Sequence, residues 1–284
     1  MNNYLLSNTI LKERYEIEKF MGTDGLINLY QGKDLQENKK IMVQELFWSN
    51  EMKRNEKGAA VIIEKEISKE YYKAVERAKK NVKHMESFQE EEAVFKVENS
   101  FIENNIFYII TEYVDVVSLK EYLKELKETK MDLQEVLDLL NPVMNLLERL
   151  HRNQMIHGEI VPLNIYINKD SKKTMVPSFF TVCEDDSEET IYSCGGYTAI
   201  EQQCRTDLKG AWTDVYSLCA IIYESITGRK IPSAIDRLMQ DEIVSPELMN
   251  PCISKENSQV LLKGLAVKAE DRIQSVEELR KHLK

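Results

Sequence analysis

The chain has 284 residues, 43% of them hydrophobic, which is enough for one large domain or two lobes around a substantial core. Its formal charge of −10 argues against nucleic acid or an anionic membrane as the main partner, because phosphate-rich surfaces select a net basic face. The five cysteines, Cys183, Cys194, Cys204, Cys219 and Cys252, match neither a disulfide framework nor a zinc-ligand spacing, so reduced thiols in a cytoplasm are expected. No basic stretch followed by a long apolar one opens the sequence, and no window reaches about 18 apolar residues, so neither secretion nor a membrane span is expected.

Over residues 15–46 apolar side chains alternate with polar ones, which predicts antiparallel strands. They are broken by a glycine-bearing turn, Gly22-Thr23-Asp24-Gly25, and by a polar turn at residues 36–40. Taken alone, Gly-x-x-Gly reads as a hairpin turn, although a loop over phosphates also needs its glycines. Residues 50–92 are dense in charge, with opposite signs three and four apart over residues 64–80, the pattern of an exposed helix. Nearly all of these charges fit a solvated helix face. Residues 94–97 and 107–114, with Asn104-Asn105 between them, read as a hairpin.

Asp132 followed by Glu135 marks a helix start with a capping box. Leu133, Val136, Leu137, Leu140, Met144, Leu147 and Leu150 then form one apolar stripe, and Pro142 is expected to kink the helix. The helix ends near His151, and a short polar loop carrying His157, Glu159 and Asn164 leads into the apolar run Ile165-Tyr166-Ile167, which reads as a strand. Residues 213–228 are apolar nearly all round and close on Gly228, the mark of a buried central helix. Ser275 with Glu278 suggests a second capping box.

The polar loop resembles the catalytic loop of protein kinases, His-Arg-Asp with a downstream Asn, with Gly158 in the arginine place and Glu159 in that of the catalytic aspartate. Residues 22–29 overlie the glycine-loop pattern G-x-G-x-x-G-x-V. Only Gly22 of the three motif glycines is kept, Gly25 is a neighbour, and Asp24 and Ile27 stand where backbone approaches phosphate. Ile41-Met42-Val43-Gln44 overlies V-A-I-K. The charged stretch covers the family's N-lobe helix with inserted residues, and Glu76 is the candidate for the glutamate that pairs with the strand lysine. Thr111 takes the gatekeeper place, and Glu112 to Val114 offer backbone groups to an adenine edge. Asp214 takes the place that hydrogen-bonds the catalytic-loop backbone, and Glu201 and Arg272 those of a buried ion pair. The stretch from Gly196 and Tyr197 to Glu201 and Gln202 resembles the end of the activation segment in bacterial Ser/Thr kinases. The resemblance covers residues 11–284 and implies a two-lobed α+β fold. Residues 1–114 would form a small antiparallel β-sheet lobe with one helix and residues 115–284 a larger, mainly helical lobe, together one protein kinase-like domain.

Phosphoryl transfer in that family needs a lysine on the phosphates, carboxylate-held magnesium and an aspartate orienting the substrate hydroxyl. Gln44 in the lysine place donates hydrogen bonds but supplies no positive charge. Glu159 keeps the carboxylate on a longer side chain, and a displacement of about 1 Å at a reacting group costs on the order of a hundredfold in rate. The magnesium-binding Asp-Phe-Gly is expected at residues 177–179 or one residue later, and Pro177 and Ser178 bring no carboxylate there. Asn164 alone is a poor site for a hard dication. Gly158 also removes the arginine that would hold a phosphorylated activation loop. In the resemblance Met42 replaces a small alanine above the adenine ring, and Tyr166 takes the apolar position beneath it. The two are expected to pack on each other, sulfur lying favourably about 5 Å from an aromatic ring, unless both turn aside and an adenine still fits.

Together these departures imply a pseudokinase, a regulatory or binding module with little or no phosphoryl transfer whose partner is another protein. That reading requires no cofactor. ATP remains a candidate ligand, and Mg2+ binding is not expected. Two alternatives stay open: a weakly active or non-standard Ser/Thr protein kinase or other ATP-dependent transferase with Glu159 as base, and ATP held as a structural ligand without transfer. The charged helix and the acidic residues 184–189 are candidate contact surfaces.

Overall fold

The computed structural model describes residues 3–23, 25–48, 52–55, 60–62, 65–126, 130–176, 195–203 and 209–284, with backbone alone for 60–62 and 65–68. It divides into two compact units, Met1–Asp115 and Val116–Lys284.

In chain order the N-terminal unit contains β1 (Ile10–Leu11), β2 (Tyr15–Thr23), β3 (Ile27–Asp34), β4 (Lys39–Leu46), β5 (Met52–Arg54), β6 (Ala60–Ile62), α1 (Lys65–Met85), β7 (Val97–Glu103) and β8 (Ile106–Glu112). One antiparallel sheet has the order β1-β2-β3-β4-β8-β7, and β5 pairs with β6 separately. The β7–β8 turn uses Asn104 and Asn105 at φ 51° and 63°, the left-handed pair that a two-residue hairpin turn demands and asparagine tolerates. The helix expected from the charge spacing over residues 64–80 stands as α1, within a charge-dense stretch that holds more than a helix. That stretch opens with the β5–β6 hairpin, and α1 buries Tyr71, Val75, Ala78, Val82 and Met85 along one stripe.

Strand β4 is covered on both faces, which its sequence alternation hides. Ile41, Val43 and Glu45 point one way, and Met42, Gln44 and Leu46 the other. Glu45 is fully buried in a cluster of donors. Its Oε2 accepts from Arg54 at 2.5 Å, the Tyr30 hydroxyl at 2.5 Å and Asn28 Nδ2 at 3.0 Å. Its Oε1 accepts from Arg54 at 2.6 Å and the Tyr108 hydroxyl at 2.9 Å. The Arg54 guanidinium also lies 4.5 Å from the centre of the Phe47 ring. Residues before β1 complete the cover: the Leu5 N–H donates to the Tyr30 hydroxyl, Asn28 donates to the Asn3 carbonyl, and Tyr4 stacks on Phe20. The β5 hairpin and the N-terminal segment are therefore tied to the sheet through one buried carboxylate.

The C-terminal unit contains β9 (Val116–Ser118), α2 (Leu119–Glu125), α3 (Leu133–Arg152), β10 (Tyr166–Asn168), β11 (Thr174–Met175), α4 (Ile200–Gln203), α5 (Ala211–Thr227), α6 (Ala234–Met239), α7 (Pro246–Met249), α8 (Lys255–Gly264) and α9 (Val276–His282). Helix α3 starts with the Asp132–Glu135 capping box and runs through Pro142 as a single helix. Helix α5 is the core: every residue from Thr213 to Thr227 except Glu224 is buried, and Gly228 closes it at φ +71° with its N–H on the Glu224 carbonyl. The second capping box is only half formed. Ser275 caps the Glu278 N–H, but the Glu278 carboxylate takes the N–H of Gln274 instead of turning back to Ser275. No helix among the described residues is long and apolar enough to cross a membrane.

Candidate functional site

Two sets of side chains carry the sequence-derived site, one in each unit. In the N-terminal unit the strand register fixes which of them share a face. Gly22 pairs with Leu29, Leu29 with Gln44 and Gln44 with Ile109, so these four form one row across β2, β3, β4 and β8. Met42 and Thr111 form the next row. Gly22, Met42, Gln44 and Thr111 are thus brought together. Gly25 lies in the β2–β3 turn at φ +97°, a value suited to glycine, with its N–H on the Thr23 hydroxyl. Asp24 lies outside the described residues.

Gln44 is buried, and its Oε1 has no hydrogen-bond partner among the described residues. A buried acceptor left unsatisfied costs about 1–3 kcal/mol. The cation nearest to it in sequence on the carboxyl side, Lys53 aside, is Arg54, and this belongs to Glu45 on the opposite face of β4. Met42 and Thr111 are buried, and the Thr111 hydroxyl donates to the Glu112 carbonyl at 3.3 Å. Glu112 closes β8 with its N–H on the Lys96 carbonyl and its carboxylate accepting the Lys96 N–H, and half-buried Val114 follows in the segment before β9. The expected helix glutamate is corrected: Glu76 is 67% exposed and pairs with Lys79 at 2.6 Å. One residue past Val75, it is turned about 100° away from the buried stripe.

In the C-terminal unit the loop after α3 is held by Asp214 from the first turn of α5. The Asp214 carboxylate is fully buried and accepts three hydrogen bonds: the His157 N–H and the Gly158 N–H at 2.8 Å each, and His151 Nε2 at 2.9 Å. Burial alone would raise its pKa. The His151 bond, the two neighbouring histidines and the Gly158 N–H outweigh that and hold it below the ordinary carboxylate value. Burial pushes His157 down to about 4, so the imidazole is neutral at pH 7, and its Nδ1 accepts the Glu159 N–H at 3.2 Å. Glu159 and Asn164 are half-buried, with Asn164 Nδ2 3.5 Å from the Glu159 carbonyl. On either side of Asn164 the chain is pinned, by the Lys120 N–H on the Pro162 carbonyl before it and the Leu119 N–H on the Ile165 carbonyl after it. Tyr166 pairs with Ser118 and Met175 and faces away from buried Ile165 and Ile167. Pro177 and Ser178 lie outside the described residues.

Sequence reasoning missed two members of this site. His151 ends α3 on the Asp214 carboxylate. Gln202 accepts the Ala199 N–H and donates to the Gly158 carbonyl, which ties the Gly-Tyr-x-x-x-Glu-Gln segment to the loop. Its place directly after Glu201 was the only available signal. Glu201 and Arg272 form the expected fully buried pair at 2.6 Å and 3.2 Å, with Thr213 donating to Glu201 and Tyr216 under the guanidinium. Gly158 sits at φ +76°. A side chain in that left-handed region costs about 1–2 kcal/mol, so Gly158→Arg and Gly158→Ala are both expected to lower stability by that amount in urea unfolding. An unchanged midpoint would show that the loop does not need its glycine.

A family model described as the protein kinase domain matches residues 47–283. The chain belongs to the protein kinase domain family. Relatives of this kinase domain include a probable serine/threonine-protein kinase of Clostridium acetobutylicum, 25% identical over 95% of this chain and 39% of the relative. Another is the serine/threonine-protein kinase PrkC of Bacillus subtilis, 23% identical over 95% of this chain and 40% of the relative. The chain thus spans about two fifths of the length of these curated relatives. Among solved structures, the apo form of PpkA-294 matches with a TM-score of 0.85 at 24% identity over the whole of both chains. A double mutant of the Mycobacterium tuberculosis PknI kinase domain matches with a TM-score of 0.74 at 15% identity over 99% of this chain and 98% of that one. The antiparallel β-sheet unit and the helical unit are the N-lobe and C-lobe of the kinase fold. The matched stretch begins after the glycine turn and Gln44.

Proposed function

We infer that this kinase domain is a pseudokinase, acting as a regulatory or binding module with little or no phosphoryl transfer. The observation that carries the reading is Gln44. In the lysine place of β4 it presents a buried neutral amide, whose carbonyl oxygen meets no hydrogen-bond partner among the described residues, where a triphosphate needs a cation. Arg54 is no substitute, because Glu45 holds it on the other face of the strand. The residues present do not fit Mg·ATP as a kinase holds it. The sequence has Pro177 and Ser178 at the metal-binding place, and neither supplies the carboxylate that holds magnesium there.

One observation favours a weakly active kinase instead. The Asp214 anchor keeps the loop bearing Glu159 and Asn164 in place, so a carboxylate remains available as a base. Incubation with labelled ATP and either Mg2+ or Mn2+, together with general Ser/Thr substrates, separates the two. The expected result is incorporation at background, with ATP shifting the melting temperature no further in Mg2+ than in EDTA. Incorporation above background that is abolished by Glu159→Gln or Asn164→Ala overturns the pseudokinase reading.

A further inference from the structure

Residues 3–9 precede β1, and none of the kinase motifs uses them. They meet β2 where that strand is irregular. Glu18 and Met21 have no partner in the β3 register, which shifts between Ile17 and Lys19 and again between Phe20 and Gly22. Each shift is a bulge that bends the strand, and the second ends at the glycine that opens the turn. The Ile17 carbonyl accepts the Asn8 N–H at 2.8 Å, and the Ile17 N–H donates to the Thr9 carbonyl at 2.8 Å. One residue on, the Ser7 hydroxyl donates to the Glu18 carbonyl of the first bulge at 2.8 Å. Beside the second bulge Tyr4 stacks on Phe20, with ring centres 4.6 Å apart and planes 16° from parallel. The same residues reach the other strand of the hairpin. The Leu5 N–H donates to the Tyr30 hydroxyl at 3.0 Å, and Asn28 Nδ2 donates to the Asn3 carbonyl at 2.8 Å. Tyr30 is the register partner of Phe20, and Asn28 that of Thr23.

We propose that residues 3–9 form a strap that sets the bend of β2 and, through it, the position of the glycine turn. The two strands of the hairpin are not held alike. β3 is paired with β4 along its whole length, from Ile27 opposite Leu46 to Asp34 opposite Lys39. β2 has β3 on one side, while on the other β1 pairs only with Tyr15 and Glu16. Among the described residues the strap is what continues that side past Glu16, ending at the two bulges. A bulged carbonyl stands outside the ladder, so the Ser7 hydroxyl fixes a bend that pairing with β3 alone leaves free. The strap is also lightly held. Leu5 is buried, but Tyr4, Leu6, Ser7 and Asn8 are exposed, so it opens at a lower cost than the six-stranded sheet beneath it. Lifting it therefore frees the turn while the sheet stays folded. The strap acts in this way whether or not the domain transfers phosphate, so its failure would leave the pseudokinase reading untouched.

Amide hydrogen exchange of the whole chain, read by mass spectrometry, tests this in Ser7→Ala, Tyr4→Ala and the double variant. Ser7→Thr keeps the hydroxyl and Tyr4→Phe keeps the stacked ring, so these two serve as conservative partners. Peptides covering residues 19–28 are expected to exchange about fivefold faster in each alanine variant, the effect of losing one neutral hydrogen bond or one stacked pair, and faster still in the double variant. Peptides from β4 and β8 are expected to keep their wild-type rates, and so are residues 19–28 in Ser7→Thr and Tyr4→Phe. Both positions are exposed, so the alanine variants leave the core of the unit intact. Acceleration shared equally by β4 and β8 overturns the proposal, because the strap would then only add to the stability of the unit as a whole. Unchanged exchange over residues 19–28 in the double variant also overturns it, as does Ser7→Thr exchanging as fast as Ser7→Ala.

Discussion

Glu45→Gln is expected to destabilise the N-terminal unit by about 3–5 kcal/mol, because it removes the buried carboxylate that pairs with the Arg54 guanidinium. The amide NH2 also replaces one of the two acceptor oxygens, so it faces either the Tyr30 hydroxyl and Asn28 or the Tyr108 hydroxyl, which now donate to a carboxylate. Arg54→Met is expected to cost less than Glu45→Gln, since Glu45 keeps those three neutral donors. Replacing both, Glu45→Leu with Arg54→Met, is expected to cost less than Glu45→Gln alone, because neither charge then needs burial. Tryptophan fluorescence reads the effect by unit: Trp48 lies buried edge-on to Tyr71 in the first, and Trp212 opens α5 in the second. Unfolding in a Trp212→Phe background therefore follows the N-terminal unit. Arg54→Met more damaging than Glu45→Gln would show that the arginine, not the carboxylate, organises the cluster. The consequence extends beyond stability, because Gln44 and Met42 occupy the same strand and their faces are set by its register.

The loop bearing Glu159 and Asn164 is expected to fail from acid below neutrality, with His157 titrating first. Its folded pKa of about 4 lies below its ordinary value of 6.5, so the unfolded chain binds the extra proton between those two values. Its contribution is therefore complete above about pH 6.5, declines as pH falls, and is lost once pH passes through about 4, in all on the order of 3 kcal/mol. Asp214 acts in the next window. Its folded pKa is held below the ordinary 3.8, so its contribution is present above that value and is lost as pH falls further. His157→Leu is expected to flatten the pH dependence of unfolding between about 6.5 and 4, at a loss of about 1 kcal/mol at neutral pH for the Glu159 N–H it no longer accepts. Asp214→Asn is expected to cost about 3–5 kcal/mol across the neutral range, because an amide cannot accept all three donors in a fully buried place. Urea midpoints from pH 4 to 8, followed through Trp212 in a Trp48→Phe background, check both. An unaltered slope in His157→Leu would remove the histidine from the explanation.

Much of the scaffold can be read locally. The Asp132–Glu135 cap, the apolar stripe of α3 and the all-round apolar run of α5 closed by Gly228 are short-range patterns, and all three stand in the structure. The places of Asp214, Glu201 and Arg272 came from the order of motifs along the chain, and their partners are the expected ones. Other features were not legible. Glu45 reads as the polar half of a strand alternation, yet it is buried by Arg54 nine residues on, by Tyr108 sixty-three residues on, and by Asn28 and Tyr30 across the sheet. Glu76 reads as a candidate partner for the strand residue until the phase of α1 is known.

The sequence by itself determined the alternating strands of residues 15–46 and the helices α3 and α5, because propensity, capping and periodicity act over a few residues. Only the tertiary structure decided which charges are buried, since desolvating a carboxylate or guanidinium is tolerable only where distant donors converge on it. It also decided that the Gln44 oxygen has no partner among the described residues and that Gln202 reaches Gly158, features that exist only once separate strands and loops have been brought into register.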